Sequence, residues 1–155
     1  MGKELVTVSA PGLGPWGGAG GRPFDDGVFT GIRSILVRRD DDAVRAIIIE
    51  YDRSGQSVVM RHGSEIGHNV NRVCLDYPKE CLISVSGFYG PFHGQDVIKS
   101  LSFQTTKGKY GPFGEELGIF FSSTEVNAKI VGFHGRSGAC LDAIGVVREY
   151  FKCSK

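Results

Sequence analysis

The stretch GLGPWGGAGGRPFDDG, residues 12–27, is dense in glycine and holds the only tryptophan of the chain. Gly12, Gly14 and Gly17 spell G-x-G-x-x-G, with Asp40 (about 20 residues further on in such folds) in place of a ribose-binding acid. A dinucleotide turn needs a strand before it and a helix whose N-terminal amides meet the pyrophosphate. Here Pro15 interrupts the turn and the chain runs through GGRPFDDGVFTG into a strand-like segment, which removes the nucleotide reading.

Outward from this stretch, short β-branched or alternating apolar runs recur with little helical periodicity. They are residues 5–10, 31–39, 44–52, 57–63, 71–77, 81–89, 98–106, 117–123, 129–135 and 141–151, each bounded by Gly, Pro, Asn, Asp or Ser. Such boundaries supply turn conformations, so the expected class is all-β. The last run alone has a helical alternative, weakened by Gly145 and the paired valines. WGGAGG (16–21) is echoed by RHGSEIG (61–67) and YGPFGEELG (110–118) at a period of roughly 45–50 residues, the range of internal repeats. Three units imply three sheets.

Composition sets the limits. The 155 residues fit one domain, 1–155, with a core that needs no staples. A net charge of +1 gives no basic footprint for nucleic acid or anionic lipid. No apolar stretch reaches the ~20 residues of a membrane helix, and the first residues lack a secretory apolar run. The expectation is a soluble cytoplasmic protein, with the nucleus as a further compartment. Cys74, Cys81, Cys140 and Cys153 lack metal-binding spacing and read as free thiols, although Cys74 and Cys81 flank LDYPKE as a hairpin disulfide would. His62, His68, His93 and His134 are scattered, so no metal site and no cofactor is expected.

VGFHGRSGACLDAIG, residues 131–145, carries the chemistry. His134, Ser137 and Asp142 lie close in sequence, but GRSGA is not the G-x-S-x-G elbow, and triad members meet in space rather than in sequence. Asp142 with Asp25 or Asp26 as a glycosidase pair would require a carboxylate separation that a sequence does not give. A binding reading needs no activated group. Gly138-Ala139-Cys140-Leu141-Asp142 can form a tight loop whose amides point one way while the carboxylate closes the concavity. Vicinal hydroxyls of a sugar donate and accept, which suits that set.

GGRPFDDGVFTGIRSI, LSFQTTKGKYGPFG and IVGFHGRSGACLDAIGV, in this order and over roughly residues 10 to 148, resemble the jacalin-related lectins. The resemblance implies a β-prism of three four-stranded antiparallel Greek-key sheets with pseudo-threefold symmetry. It implies a carbohydrate-binding protein, not an enzyme, that recognises mannose or glucose residues of glycans and glycoproteins. The alternative is a protein-interaction module on the same scaffold with little sugar affinity.

Residue by residue, the resemblance makes Gly21, with Gly20 beside it, the loop that gives an amide to sugar hydroxyls. Ala139 and Cys140 give amides toward the ring oxygen and O6, and Asp142 accepts from O4 and O6. Gly138 and Leu141 complete that loop, and Phe88 in SGFYG lines the wall. The chain runs unbroken into Gly21, which in the family accompanies mannose preference over galactose. In RRDDD (38–42), Arg38 stands where a second site's glycine would be and Asp42 alone matches, so one site per chain is expected. One weak site calls for a homodimer or higher homo-oligomer, with 5–10 and 146–151 as candidate contact segments.

Overall fold

A computed structural model describes residues 12–124 and 127–151. The strands are β1 (Leu13–Gly17), β2 (Arg22–Asp25), β3 (Gly31–Arg39), β4 (Val44–Arg53), β5 (Gln56–Gly63), β6 (Asn69–Cys74), β7 (Leu82–Phe92), β8 (Gln95–Thr105), β9 (Lys109–Gly114), β10 (Ile119–Ser122), β11 (Ala128–Ser137) and β12 (Leu141–Tyr150). They form three four-stranded antiparallel sheets, ordered β1-β12-β11-β2, β5-β4-β3-β6 and β10-β7-β8-β9. Each sheet centres on one hairpin, β11–β12, β3–β4 or β7–β8, with shorter strands outside. The C-terminal run is strand β12, and Gly145 shows why. Its Cα lies against the His134 ring, where an added methyl would stand 2.5 Å from Nε2.

Three strands were not among the apolar runs: β1, β2 and β9. All are edge strands, and each carries a proline, Pro15, Pro23 or Pro112. Proline cannot donate to a ladder on both sides, so an edge tolerates what an interior strand does not. The run 5–10 lies outside the described residues. Of the other candidate contact segment, residues 146–150 belong to β12, which β11 covers on one side and β1 on the other only as far as Val146.

The three sheets close on one apolar interior. Ile35 and Ile47 from the second sheet, Leu101 and Phe103 from the third, and Phe133 and Ile144 from the first are fully buried there. Each contributes about 1.5–3 kcal/mol relative to exposure. Polar ties join the sheets as well. The Tyr51 hydroxyl donates to Asp26 Oδ2 at 2.6 Å and accepts from the Phe133 amide at 3.0 Å, and His62 Nε2 lies 2.8 Å from Asp26 Oδ1. Burial, with Asp26 beside it, pushes the Tyr51 hydroxyl far above its ordinary range.

The pseudo-threefold relation can be read residue by residue. Each central hairpin has a β-bulge near its tip: between Arg136 and Ser137 opposite Ala143 and Leu141, between Arg38 and Arg39 opposite Ala46 and Val44, and between Phe88 and Tyr89 opposite Ser100 and Ile98. The residues left unpaired are Asp142, Arg45 and Lys99. Their carbonyls accept from the amides of Gly18 (2.8 Å), Ser64 (3.0 Å) and Glu115 (3.0 Å). A left-handed glycine lies on each, Gly17 (φ 134), Gly63 (φ 116) and Gly114 (φ 110), where an added methyl would meet those carbonyl oxygens at 2.3, 2.2 and 2.3 Å. Bulges of this kind re-aim a side chain. One such position holds a carboxylate and the other two hold cations.

Candidate functional site

Asp142 is 6% exposed, and its Oδ1 is buried without a hydrogen bond from the protein. A buried carboxylate oxygen ordinarily has partners. Burial raises the Asp142 pKa above the ordinary aspartate range, and the positive charge of Arg136 opposes that shift only in part. Its Oδ1 is therefore an acceptor held in place without a protein donor.

Glycines make room around it. A methyl at Gly20 would stand 2.7 Å from Asp142 Oδ2 and 2.6 Å from Gln95 Oε1. At Gly21, with φ 67, it would stand 2.7 Å from Oδ1 and 2.5 Å from the Ser137 carbonyl carbon and oxygen. Gly138 faces Gly21, its added methyl 3.3 Å from the Gly21 Cα. The main chain of the β1–β2 loop thus approaches the carboxylate as no side-chain-bearing residue could. Arg136 fixes that loop, with Nε donating to Gly20 O at 2.9 Å and Nη2 to Gly21 O at 3.0 Å. Trp16 stacks on Phe121 of β10, ring centroids 5.2 Å apart, and anchors the strand that leads into the loop.

The structure brings Gly20, Gly21, Gly138 and Asp142 together as the sequence implied. Ala139 is exposed at the tip of the β11–β12 loop, and the Gly138 amide closes that loop on Cys140 O at 2.9 Å. The Cys140 side chain is buried with Ala43, Val97 and Phe92, and burial raises its thiol pKa. Leu141 is fully buried core, so its side chain serves the fold. Cys74, Cys81 and Cys140 are free thiols, and Cys153 lies outside the described residues.

Phe88 is not brought to this site. It sits on β7 opposite Ser100 and Phe120, in edge contact with the Phe120 ring at 5.4 Å, at the third-sheet position equivalent to Arg136. The wall comes instead from the β7–β8 hairpin. Gln95 and Asp96, with Gly18, Ala19 and Gly20, line an open depression of about 320 Å³ next to the carboxylate. Phe88 is four residues down the strand from Phe92, roughly 13 Å at strand rise. The β3–β4 turn also departs from the match of Arg38 and Asp42 to a second site. The register places Arg45, not Asp42, where Asp142 stands in the first sheet. Asp40 caps the turn by accepting from the Asp42 and Ala43 amides at 2.9 and 3.0 Å and pairing with Arg45 Nε at 2.7 Å, while Asp42 is exposed. A second cavity, about 190 Å³ between Gly31, Tyr77, Cys81 and Ile130, lies at the opposite end of the strands. None of its lining side chains holds a buried polar atom without a partner.

The fold is a β-prism, and the glycine-ringed carboxylate of Asp142 is its candidate acceptor site. The family model described as Jacalin-like lectin domain matches residues 13–147, and the chain belongs to this family, one of lectins rather than enzymes. It is 52% identical over 155 residues to Jacalin-related lectin 3 of Arabidopsis thaliana, covering 96% of this chain and 26% of that protein. It is 46% identical over 145 residues to an agglutinin of Castanea crenata, covering 90% of this chain and 47% of that one. The chain thus spans about a quarter and about half of these relatives. Among solved structures, a mannose-specific jacalin-related lectin from Morus nigra in complex with mannose is 42% identical with a TM-score of 0.82, over 96% of this chain and 97% of that one.

Proposed function

We infer that the chain binds mannose or glucose residues of glycans reversibly at Asp142. The observation that carries this reading is the Asp142 carboxylate, 6% exposed, with Oδ1 free of protein donors beside Gly21 and Gly138 and Oδ2 beside Gly20. A ligand that supplies two adjacent hydroxyl donors and accepts from nearby amides suits that carboxylate, and a sugar carrying equatorial O4 beside O6 does so. Galactose turns the 4-hydroxyl axial and moves it off this line. Titration calorimetry with the methyl glycosides tests the assignment. Mannoside and glucoside are expected to bind and galactoside to bind far more weakly, whereas a preference for galactoside refutes it.

A shallow site of a few hydrogen bonds exchanged against water binds one monosaccharide with Kd on the order of 1 mM, about −4 kcal/mol. Linked sites add roughly 10²–10⁴ in avidity. Assembly into a homodimer or larger homo-oligomer belongs to the same proposal. Sedimentation equilibrium at micromolar concentration is expected to give at least twice the mass of one chain, and a strictly monomeric protein would count against it.

A further inference from the structure

The bulge position that carries Asp142 in the first sheet carries Arg45 in the second and Lys99 in the third, and both cations turn toward the loops around Asp142. The Arg45 side chain is 14% exposed. Its Nε donates to Asp40 Oδ2 at 2.7 Å, its Nη1 reaches Ala139 O and Cys140 Sγ at 3.3 Å each, and its guanidinium lies 4.9 Å from the Phe92 ring centroid. Ser64 Oγ donates to the same Ala139 carbonyl at 2.8 Å. Lys99 does the matching work on the neighbouring hairpin, with Nζ donating to Pro91 O at 3.1 Å and lying 5.7 Å from Phe92 on its own account. The two cations therefore share one aromatic ring and hold one backbone carbonyl each.

The Ala139 carbonyl belongs to the same peptide plane as the Cys140 N–H, and in a trans peptide the two point in opposite directions. Fixing the oxygen fixes the amide. A planar guanidinium can hold the carbonyl, the Asp40 carboxylate and an aromatic face at once, which a point-charge ammonium cannot. Fixing the loop before a ligand arrives lowers the ordering cost of binding. We propose that Arg45 is a positioning residue for the sugar site, holding Ala139 O so that the Cys140 amide is aimed at the ligand; this rests on the sugar-binding reading above.

The test pairs Arg45→Met, which keeps an unbranched side chain and removes the donors, with Arg45→Lys, which keeps the charge without the fork. Loss of one charge-assisted contact predicts roughly 5- to 10-fold weaker methyl mannoside binding for Arg45→Met, only partly recovered in Arg45→Lys. Hydrogen exchange at the Cys140 amide, read by NMR, is expected to quicken about tenfold as the loop loosens. Lys107→Met, which breaks an exposed ion pair with Asp76, should leave both readouts unchanged. Should Arg45→Met fail to fold, Ser64→Ala removes the other bond to the same carbonyl and is expected to move both readouts the same way, by a smaller factor. Wild-type affinity in a folded Arg45→Met, or weaker binding with unchanged Cys140 exchange, overturns the proposal. A wild-type protein that binds no mannoside overturns the sugar reading instead, and the Cys140 exchange rates still decide whether Arg45 holds the loop.

Discussion

Asp142→Asn is expected to remove measurable sugar binding and at the same time to raise the stability of the fold. Two charge-assisted bonds at about 1.5–3 kcal/mol each are lost or weakened, which carries a millimolar site beyond detection. The same substitution removes a largely buried charge whose Oδ1 has no protein donor. Relief of such a strained functional group stabilises by about 0.5–2 kcal/mol. Asp142→Ala should abolish binding equally. Titration of the wild type gives the same site a second signature. The native Asp142 pKa is raised, chiefly by burial, so the native state takes up a proton more readily than the unfolded chain. The stability contribution of this group is therefore greatest at low pH and falls as pH rises through the raised value. Sugar affinity runs the other way, present above that pKa and lost as pH falls through it. Calorimetry with methyl mannoside across an acid series, and thermal melts of both variants, measure these effects. Undiminished binding by either variant would remove Asp142 from the site.

Gly21→Ala is expected to damage both fold and site. At φ 67 an L side chain costs about 1–2 kcal/mol. The added methyl would also meet the Ser137 backbone at 2.5 Å and Asp142 Oδ1 at 2.7 Å, and neither backbone nor a buried carboxylate can swing aside as a flexible side chain would. Displacing the loop would further break the Arg136 bond to Gly21 O. The sum is about 2–4 kcal/mol, or a fall of roughly 5–15 °C in Tm for a domain of this size, with mannoside binding lost. Gly27→Ala supplies the comparison, because Gly27 has φ 81 but nothing within 4 Å of an added methyl. It should show the backbone cost alone and retain binding. Equal melting temperatures for the two variants would show that the contacts with Ser137 and Asp142 carry no weight.

The all-β class and the threefold repeat were legible because the interior hairpins are built from β-branched runs such as AIIIEY and SILVRR. That Gly20 and Gly21 approach Asp142 followed from the resemblance of their segments to the jacalin-related lectins, since spacing alone does not join residues so far apart. What the sequence hid has definite causes. β1, β2 and β9 carry proline and glycine at sheet edges, where packing overrides propensity. Asp42 matches Asp142 only if Arg38 is set against Gly138; the register sets Arg38 against Arg136, two positions earlier, and the β3–β4 connection is one residue longer than the β11–β12 connection, so Arg45 takes the place of Asp142. Phe88 belongs to the segment that leads into the β7–β8 hairpin, but it lies at the bulge, four residues short of Phe92 at the end of β7. Nothing in the sequence singles out Arg136 or Arg45, because spacing does not reveal that a guanidinium will end on a distant carbonyl.

The first sheet draws β1 and β2 from one part of the domain and β11 and β12 from another, so that Arg136 meets the Gly20 carbonyl across 116 positions. On a ribosome adding about 5–20 residues per second, the glycine loop emerges roughly 6–23 s before the arginine that pins it. Through that interval β1 and β2 have no partner strand to pair with, since their only ladders are to β12 and β11. The second and third sheets can close meanwhile from neighbouring segments. Assembly of the Asp142 site is thus a late event in the synthesis of this domain, and a nascent domain halted before β11 holds Gly20 and Gly21 with no carboxylate for them to surround.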